Sequence, residues 1–232
     1  AVRLGDDSTA EQFPGGSDGP AGKAAEVDVA WRRAMLEHRD LPRTYAPSRV
    51  VSRQGRFMVA IIDDNATLWE VSSATLRARL PHRDQSVRAA AFSDDEERVV
   101  TVGADNLARI WDTTSGSEII VLRGHTSRVS SAMFSHDASR LVTAGWDGFT
   151  IVWDARTGRR ISALNLGEYV NEAAISPNGA LAVALPQGRT YAGANDRVAY
   201  LWNANTGALI AVLQGHETEI TSVAFSPDSR FV

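Results

Sequence analysis

Apolar and polar residues alternate in short runs over most of the chain, and turn-forming residues separate the runs. The segments Ala132 to Phe134 and Leu141 to Thr143 are examples of such runs. Alternation with a period of two is typical of strands that bury one face and expose the other. The repeat region contains no long amphipathic helical pattern. The pattern therefore predicts an all-β chain of short antiparallel strands joined by turns.

Three sets of residues recur along the chain at nearly the same interval. Trp69, Trp111 and Trp153 are each 42 residues apart, and Trp202 follows after 49. Four of the five His lie shortly after a Leu, in the same rhythm. The third recurring set is Phe92-Ser93, Phe134-Ser135, Ile175-Ser176 and Phe225-Ser226. A period of about 40–45 residues with four strands predicts the blade of a β-propeller.

The landmarks of one repeat resemble those of the WD-repeat β-propeller family. They are Gly124-His125, Phe134-Ser135, Asp147, Trp153-Asp154 and Thr157-Gly158, and the resemblance extends over about residues 36–232. It implies an incomplete propeller of four-stranded antiparallel blades, with about four whole blades and a partial blade at each end. It also suggests a bacterial member that is a fragment of a longer chain. We expect whole blades over about 38–80, 82–122, 124–164 and 165–213, and a partial blade over 214–232.

The resemblance implies that a His, a Ser or Thr, an Asp and the Trp of each blade form a hydrogen-bonded tetrad. Two blades keep all four residue types, with the Asp six positions before the Trp and four after the Thr. A buried polar network of this kind stabilises a blade only when every member has a partner. The expected tetrads are His82, Thr101, Asp105 and Trp111 in one blade, and His125, Thr143, Asp147 and Trp153 in the next.

The other two blades depart from this pattern. Asp63 precedes Trp69 by six positions, but Val59 occupies the hydroxyl position. Trp202 keeps the same offset from its Asp, but Ala192 occupies the hydroxyl position and no His precedes the blade. We therefore expect these two blades to lack the tetrad and to be less stable than the two between them.

The two ends of the chain are predicted to be partial blades. Over residues 1–37, Val2 to Asp6 resembles a degenerate third strand, Asp28 to Leu36 would be the outer strand, and a Gly- and Pro-rich insertion or linker lies between them. The alternative is a disordered tail followed by a short helix from Ala24 to His38. At the other end, Arg230 to Val232 is expected inside a strand. A seven-bladed ring needs about 294 residues, so a fragment is expected; the alternative is a five-bladed ring whose terminal segments share one blade.

Composition mainly excludes classes of function. The chain has 232 residues, a formal net charge of −4 and no Cys. Without Cys, disulfides, thiolate metal sites and Cys nucleophiles are excluded, and the small net charge gives no global attraction to nucleic acid. No apolar run is long enough for a transmembrane helix, and no phosphate-binding loop or nucleophile motif occurs. We predict a cytoplasmic, non-enzymatic protein without metal or cofactor that neither binds nucleic acid nor inserts into a membrane.

The resemblance further implies that partner contacts come from one rim of the propeller. The implied positions flank the Val of a blade's first strand or directly precede the tetrad Asp. Trp146 is distinctive because it lies outside the position shared by the repeated Trp residues, and Trp, Tyr and Arg are enriched at binding hot spots. The alternative is that Trp146 packs on a neighbouring loop or is covered by Arg128. The predicted rim residues are Arg88, Arg128, Trp146, Tyr169, Asn171 and Asn195.

These observations predict a protein-interaction scaffold whose rim patch binds a protein or peptide partner. The alternative function is a regulatory sensor arm of a larger bacterial signalling protein, such as a kinase or a nucleoside triphosphatase. The two functions differ in the domains that would accompany the propeller.

Overall fold

A computed structural model describes residues 20–37, 47–83, 87–187 and 197–232. The described residues form one helix and sixteen strands. The helix, α1, spans Pro20–Glu37. The strands are β1 Ser48–Val51, β2 Phe57–Ile62, β3 Asn65–Glu70, β4 Thr75–Leu80, β5 Val87–Phe92, β6 Arg98–Gly103, β7 Leu107–Asp112, β8 Glu118–Arg123, β9 Val129–Phe134, β10 Arg140–Gly145, β11 Phe149–Asp154, β12 Arg160–Asn165, β13 Val170–Ile175, β14 Leu181–Pro186, β15 Ala199–Asn203 and β16 Leu209–Leu213.

The strands form four sheets, and each sheet joins four strands that follow one another in the chain. We call β1–β4 the first blade, β5–β8 the second, β9–β12 the third and β13–β16 the fourth. All neighbouring strands within a blade are antiparallel. The prediction of four whole, four-stranded antiparallel blades is therefore confirmed. The blades do not close into a ring in the described part of the chain.

The repeated Ser forms the same turn between the first and second strand of each blade. Ser135 Oγ donates to Asp137 Oδ1 at 2.6 Å and accepts the amide of Arg140 at 3.0 Å. This pair of bonds closes the turn and explains why a Ser recurs at the end of each first strand. The amide five positions further along the chain donates in the same way to the hydroxyls of Ser52, Ser93 and Ser176, and also to that of Ser226, which lies beyond the fourth blade.

Each repeated Trp lies at a β-bulge and packs on the element before its own blade. The pairing of the third and fourth strands shifts register directly before each of these Trp residues. Trp111 packs with residues of the first blade, Trp153 with the second and Trp202 with the third. Trp69 instead packs against α1, whose Ala30 and Ala34 are fully buried. Helix α1 therefore takes the place that a preceding blade takes elsewhere.

The predicted outer strand over Asp28 to Leu36 is wrong, because these residues belong to α1. Ala30 and Ala34 lie four positions apart, which places them on one face of a helix. That face packs on Met58 and Trp69 of the first blade. The helical alternative for this segment is correct. The predicted strand over Val2 to Asp6 lies outside the described residues.

The end of the chain packs on the fourth blade without forming a strand. Residues 214–232 contain only a turn, which the Ser226 amide closes by donating to the Phe231 carbonyl at 2.9 Å. Ile220, Val223 and Phe225 pack against the core of the fourth blade. The predicted strand over Arg230 to Val232 is wrong, because these residues pair with no strand and are held only by the bonds that close the Ser226 turn.

Candidate functional site

The second blade brings His82, Thr101, Asp105 and Trp111 together in one chain of hydrogen bonds. Trp111 Nε1 donates to Thr101 Oγ1 at 2.8 Å, and the Thr101 hydroxyl lies 2.9 Å from His82 Nε2. His82 Nδ1 lies 2.8 Å from Asp105 Oδ1. With a neutral imidazole that carries its proton on Nδ1, every donor in this chain meets an acceptor.

The third blade repeats this arrangement with His125, Thr143, Asp147 and Trp153. Trp153 Nε1 donates to Thr143 Oγ1 at 2.8 Å, and that hydroxyl lies 2.8 Å from His125 Nε2. His125 Nδ1 lies 3.0 Å from each carboxylate oxygen of Asp147. Asp147 also accepts the amide of Thr126 at 2.7 Å. The network therefore connects the segment that precedes β9, which carries His125, to the indole of Trp153 on β11.

The protonation states and the burial of the tetrads fit a structural role. Burial lowers the pKa of His82, although its hydrogen bond to Asp105 opposes this effect. Burial would raise the pKa of Asp147, but the hydrogen bonds from His125 and the Thr126 amide hold it below its usual value. The side chains of His82 and Asp105 are only 0% and 5% exposed, so a substrate cannot reach them. The burial and complete pairing of these side chains fit a stabilising role for the tetrads.

The first blade satisfies its Trp in a different way. β2 and β3 are joined by Asp63 and Asp64, whose φ angles of 48° and 65° are typical of a two-residue type I′ turn. Trp69 Nε1 donates to Thr67 Oγ1 at 2.9 Å, and the Thr67 hydroxyl donates to the Ala60 carbonyl at 3.3 Å. The hydroxyl therefore comes from the strand that carries the Trp itself.

Strand pairing shows why spacing alone misplaced the hydroxyl position of the first blade. In the second and third blades, the hydroxyl residue lies two positions after the residue paired with the Trp. Trp69 pairs with Met58, so the corresponding residue of the first blade is Ala60. The assignment of this position to Val59 is wrong, because the two-residue hairpin shifts the pairing by one residue.

In the fourth blade, the Trp202 indole N–H has no hydrogen-bond partner among the residues that the structure describes. Trp202 pairs with Ala182, so its hydroxyl position is Ala184. Ala184 and Trp202 are both fully buried, and Trp202 Nε1 makes no hydrogen bond with any residue the structure describes. The assignment of the position to Ala192 is wrong, since the extra residues of this blade lie beyond Ala184; Ala192 itself lies outside the described residues.

Three predicted rim residues meet between the third and fourth blades. Arg128 precedes β9, Trp146 follows β10, and Tyr169 precedes β13. The Trp146 and Tyr169 rings are stacked, with centroids 4.9 Å apart and planes 19° apart. The Arg128 guanidinium carbon lies 4.2 Å from the centroid of the Trp146 ring. We call these three residues the rim cluster.

The backbone fixes the rim cluster in place. The Trp146 amide donates to the Arg128 carbonyl at 2.9 Å, and the Gln187 amide donates to the Tyr169 carbonyl at 2.7 Å. All three side chains of the cluster are half-buried, whereas the repeated Trp residues are at most 4% exposed. The cluster is thus a held but accessible surface rather than part of a core.

The other two predicted rim residues that the structure describes, Arg88 and Asn171, do not join the cluster. Arg88 Nη1 lies 3.1 Å from Asp64 Oδ1, which connects the second blade to the first-blade hairpin. Asn171 is exposed on β13. Asn195 lies outside the described residues. Of the five predicted positions that the structure describes, it therefore brings together Arg128, Trp146 and Tyr169.

Two arginines that sequence reasoning missed hold neighbouring blades together. Arg98 reaches from the second blade to the third, where it donates to the carbonyls of Ala138 and Ala155 at 2.6 and 3.0 Å. Arg140 reaches from the third blade to the fourth, where it donates to the Gly179 carbonyl at 2.7 Å. Each Arg lies five positions after the repeated Ser, and this shared position is a signal that the sequence already contained.

A cavity of about 340 Å³ lies where the first strands end, at the edge opposite the rim cluster. Met133 and Phe225 contribute apolar surface to it. Asp94 Oδ2 lies 2.7 Å from Arg53 and 2.5 Å from His136, which links three successive blades beside the cavity. In the part of the chain that the structure describes, no group of three or more His, Asp or Glu could hold a metal ion. Within the same residues, no helix combines the length and apolarity needed to cross a membrane.

Known proteins match this chain in two ways. A family model described as "WD domain, G-beta repeat" matches residues 74–112, 116–154 and 207–232. The first two matches each begin near the fourth strand of one blade and end with the third strand of the next. Each sequence repeat therefore spans two blades, and the two complete ones end at the blades that contain a full tetrad. No curated protein matches the chain.

Among solved structures, the chain is similar to the crystal structure of the computationally designed Ika8 protein. The TM-score is 0.62 and the sequence identity is 24%, over 74% of this chain and 50% of the designed one. The chain thus spans about half the length of that protein. At this identity the likeness concerns the fold.

Proposed function

Because this chain is a member of the WD-repeat family, whose propellers are commonly protein-interaction scaffolds, we propose that it binds a protein or peptide partner through the rim cluster. The blades act as a rigid support, and Arg128, Trp146 and Tyr169 form the contact surface. The proposed function is binding alone and includes no chemical step.

The stack of Trp146 on Tyr169 is the observation that carries this proposal. It joins two blades at one rim and presents aromatic and guanidinium groups at half-exposed positions. Aromatic residues and Arg dominate the energetics of protein interfaces when a partner removes them from water. Because Trp146 already stacks on Tyr169 and contacts the Arg128 guanidinium, these side chains lose little additional entropy when a partner binds.

The competing explanation is that the stack only packs two loops together. Arg128 and Tyr169 both contact Trp146, so a purely structural role would give the same geometry. The two explanations differ in what the loss of Trp146 changes. A binding role predicts a loss of affinity with little loss of stability, and a packing role predicts the reverse.

The test uses peptides selected on the wild-type chain from a displayed random library. Their affinities are then measured for the wild type, for Trp146→Ala and for Trp31→Ala. Trp31 is the matched control because it is also half-buried and has an Arg, Arg49, 5.6 Å from its ring centroid, but it lies on α1. We expect Trp146→Ala to weaken binding by about thirtyfold or more, which is roughly 2 kcal/mol.

Trp31→Ala should leave the affinity of these peptides unchanged. The proposal would be contradicted if Trp146→Ala bound the selected peptides as tightly as the wild type while its melting temperature fell sharply. That result would assign the stack to loop packing alone.

A further inference from the structure

The fourth strand of each blade forms the outer edge of its sheet. The first strands of neighbouring blades contact one another, and the fourth strand lies at the opposite end of each sheet. An exposed strand edge offers unpaired backbone groups to any other strand, and charged side chains usually guard it. The four outer strands can therefore be compared for their protection.

Three of the four outer strands carry charged residues, and β16 carries none. Its sequence is Leu209-Ile210-Ala211-Val212-Leu213. Leu209, Ile210 and Val212 are 49%, 53% and 37% exposed, so the strand presents apolar side chains to water. The charged residues of the other outer strands are Arg77 and Arg79 on β4, Glu118 and Arg123 on β8, and Arg160 on β12.

The sequence of β16 is nearly the same in both directions. When two copies of the strand are placed antiparallel about Ala211, Leu209 of one copy faces Leu213 of the other. Ile210 then faces Val212, and Ala211 faces itself. Pairs of β-branched and other apolar residues directly across an antiparallel ladder are stabilising. A two-fold axis through such a pairing gives a closed, self-complementary dimer.

The same pairing is unfavourable on the charged outer strands. Ala78 is the residue of β4 that corresponds to Ala211 of β16. Ala78 pairs with Leu68 and Ala211 with Leu201, and each Leu directly precedes the repeated Trp of its blade. An antiparallel pair of β4 strands about Ala78 would place Arg77 opposite Arg79 of the other copy. Like charges directly opposite each other in a ladder are destabilising. The charge pattern therefore distinguishes β16 from β4 as a self-pairing edge.

We propose that β16 is a dimerisation edge, at which two copies of this chain pair their β16 strands antiparallel about Ala211. The occupant of the edge is a second copy of this chain. The strand carries no charge that a second copy would repel, and its nearly symmetric sequence places apolar residues opposite apolar residues. This surface is separate from the rim cluster, so its test does not depend on the proposed function.

The first test compares the same substitution on two outer strands. Ile210 of β16 and Ile119 of β8 occupy the same position, since each is the residue skipped where its strand shifts register beside the repeated Trp. Their exposed fractions are similar, at 53% and 47%. Sedimentation of the wild type should show a dimer that dissociates on dilution. Ile210→Lys should raise the dissociation constant by about tenfold or more, because it places a charge opposite an apolar residue. Ile119→Lys should leave the dissociation constant unchanged.

The second test does not require a destabilising variant. The chain has no Cys, so Ala211→Cys introduces a single thiol on the proposed two-fold axis. Residues directly opposite in an antiparallel pair have Cβ atoms about 4.5–5.5 Å apart, close to what a disulfide needs. Mild oxidation should cross-link most of this variant into dimers, whereas Ile119→Cys should remain largely monomeric.

Three outcomes would overturn the proposal. They are a wild-type chain that stays monomeric at all concentrations, a dimer that the two Lys variants weaken equally, and Cys variants that cross-link equally. Equal effects would indicate non-specific association of apolar surface rather than pairing of β16.

Discussion

The two middle blades and the two outer blades all bury the repeated Trp. They differ in what its indole N–H bonds to. In the two middle blades it begins a chain of four hydrogen-bonded side chains. In the first blade it meets one hydroxyl, from Thr67, and in the fourth it meets no described residue. Every blade nevertheless keeps the bulge and the packing of its Trp on the preceding element. Apolar packing of the Trp is therefore common to all four blades, and we expect the tetrad to add stability to the two blades that contain it.

The largest expected effect is the loss of a hydroxyl inside a complete tetrad. Thr143→Val keeps the shape of the side chain but leaves the indole of Trp153 and the imidazole of His125 without their shared partner. Two unsatisfied buried groups should cost about 2–4 kcal/mol of unfolding free energy. Urea unfolding of the variant and the wild type measures the difference.

Thr150→Val in the same blade is the matched control. Thr150 is also fully buried, but its Oγ1 has no hydrogen-bond partner among the described residues. Replacing an unpaired hydroxyl by a methyl group should change stability by less than about 0.5 kcal/mol or increase it. Equal losses in the two variants would show that the tetrad hydroxyl contributes only shape.

A smaller loss is expected in the first blade. Thr67→Val removes the hydroxyl that accepts from the Trp69 indole, and among the described residues no imidazole bonds to this hydroxyl. One unsatisfied buried donor should cost about 1–2 kcal/mol, which urea unfolding can resolve from the larger loss in Thr143→Val. A loss in Thr67→Val as large as that in Thr143→Val would mean that the His and the Asp of the tetrad add nothing.

The fourth blade should gain stability from a hydroxyl. Ala184→Ser places an acceptor where the tetrad blades have Thr, within the pairing that positions Trp202. The new hydroxyl can donate to a backbone carbonyl, as Thr67 donates to Ala60. We expect a gain of about 1 kcal/mol in unfolding free energy, measured by urea unfolding. A loss of stability would show that the site around the indole has no room for the oxygen.

The smallest effect concerns pH and the second blade. Burial holds the pKa of His82 below its ordinary value of 6.5, so the unfolded chain takes up a proton before the folded chain does. Stability should therefore decrease as the pH falls below about 6.5. Unfolding free energies measured on both sides of this pH should show the decrease, and His82→Gln should reduce it. An equal decrease in both proteins would assign it to other groups.

The sequence alone predicts the four blades, because the residues that mark each blade lie close together in the chain. The Trp and Ser positions mark a bulge and a turn, and both depend on residues close in the chain. The hydroxyl positions of the first and fourth blades were misplaced because strand register decides them, and a two-residue hairpin at Asp63 and Asp64 changes that register. The sequence predicts a strand where helix α1 lies, because the four-residue spacing of Ala30 and Ala34 indicates a helix only once Met58 and Trp69 are known to cover that face.

The rim shows the same limit for the candidate site. The resemblance supplied its positions, and residue type singled out Trp146. Only the fold shows that Tyr169 of the next blade stacks on Trp146 and that Arg88 instead pairs with Asp64. Contacts between blades depend on how successive sheets are placed, and no local pattern in the chain encodes this placement.

Native-state amide hydrogen exchange tests the difference between the blades most directly, because one experiment on the unmodified chain reports on all four. The second strands are the best probes, since each is paired on both sides within its sheet. We predict the slowest exchange in β6 and β10, faster exchange in β2, and the fastest in β14. Equal protection of the four strands, or slower exchange in β14 than in β10, would contradict the conclusion that a complete tetrad stabilises its blade.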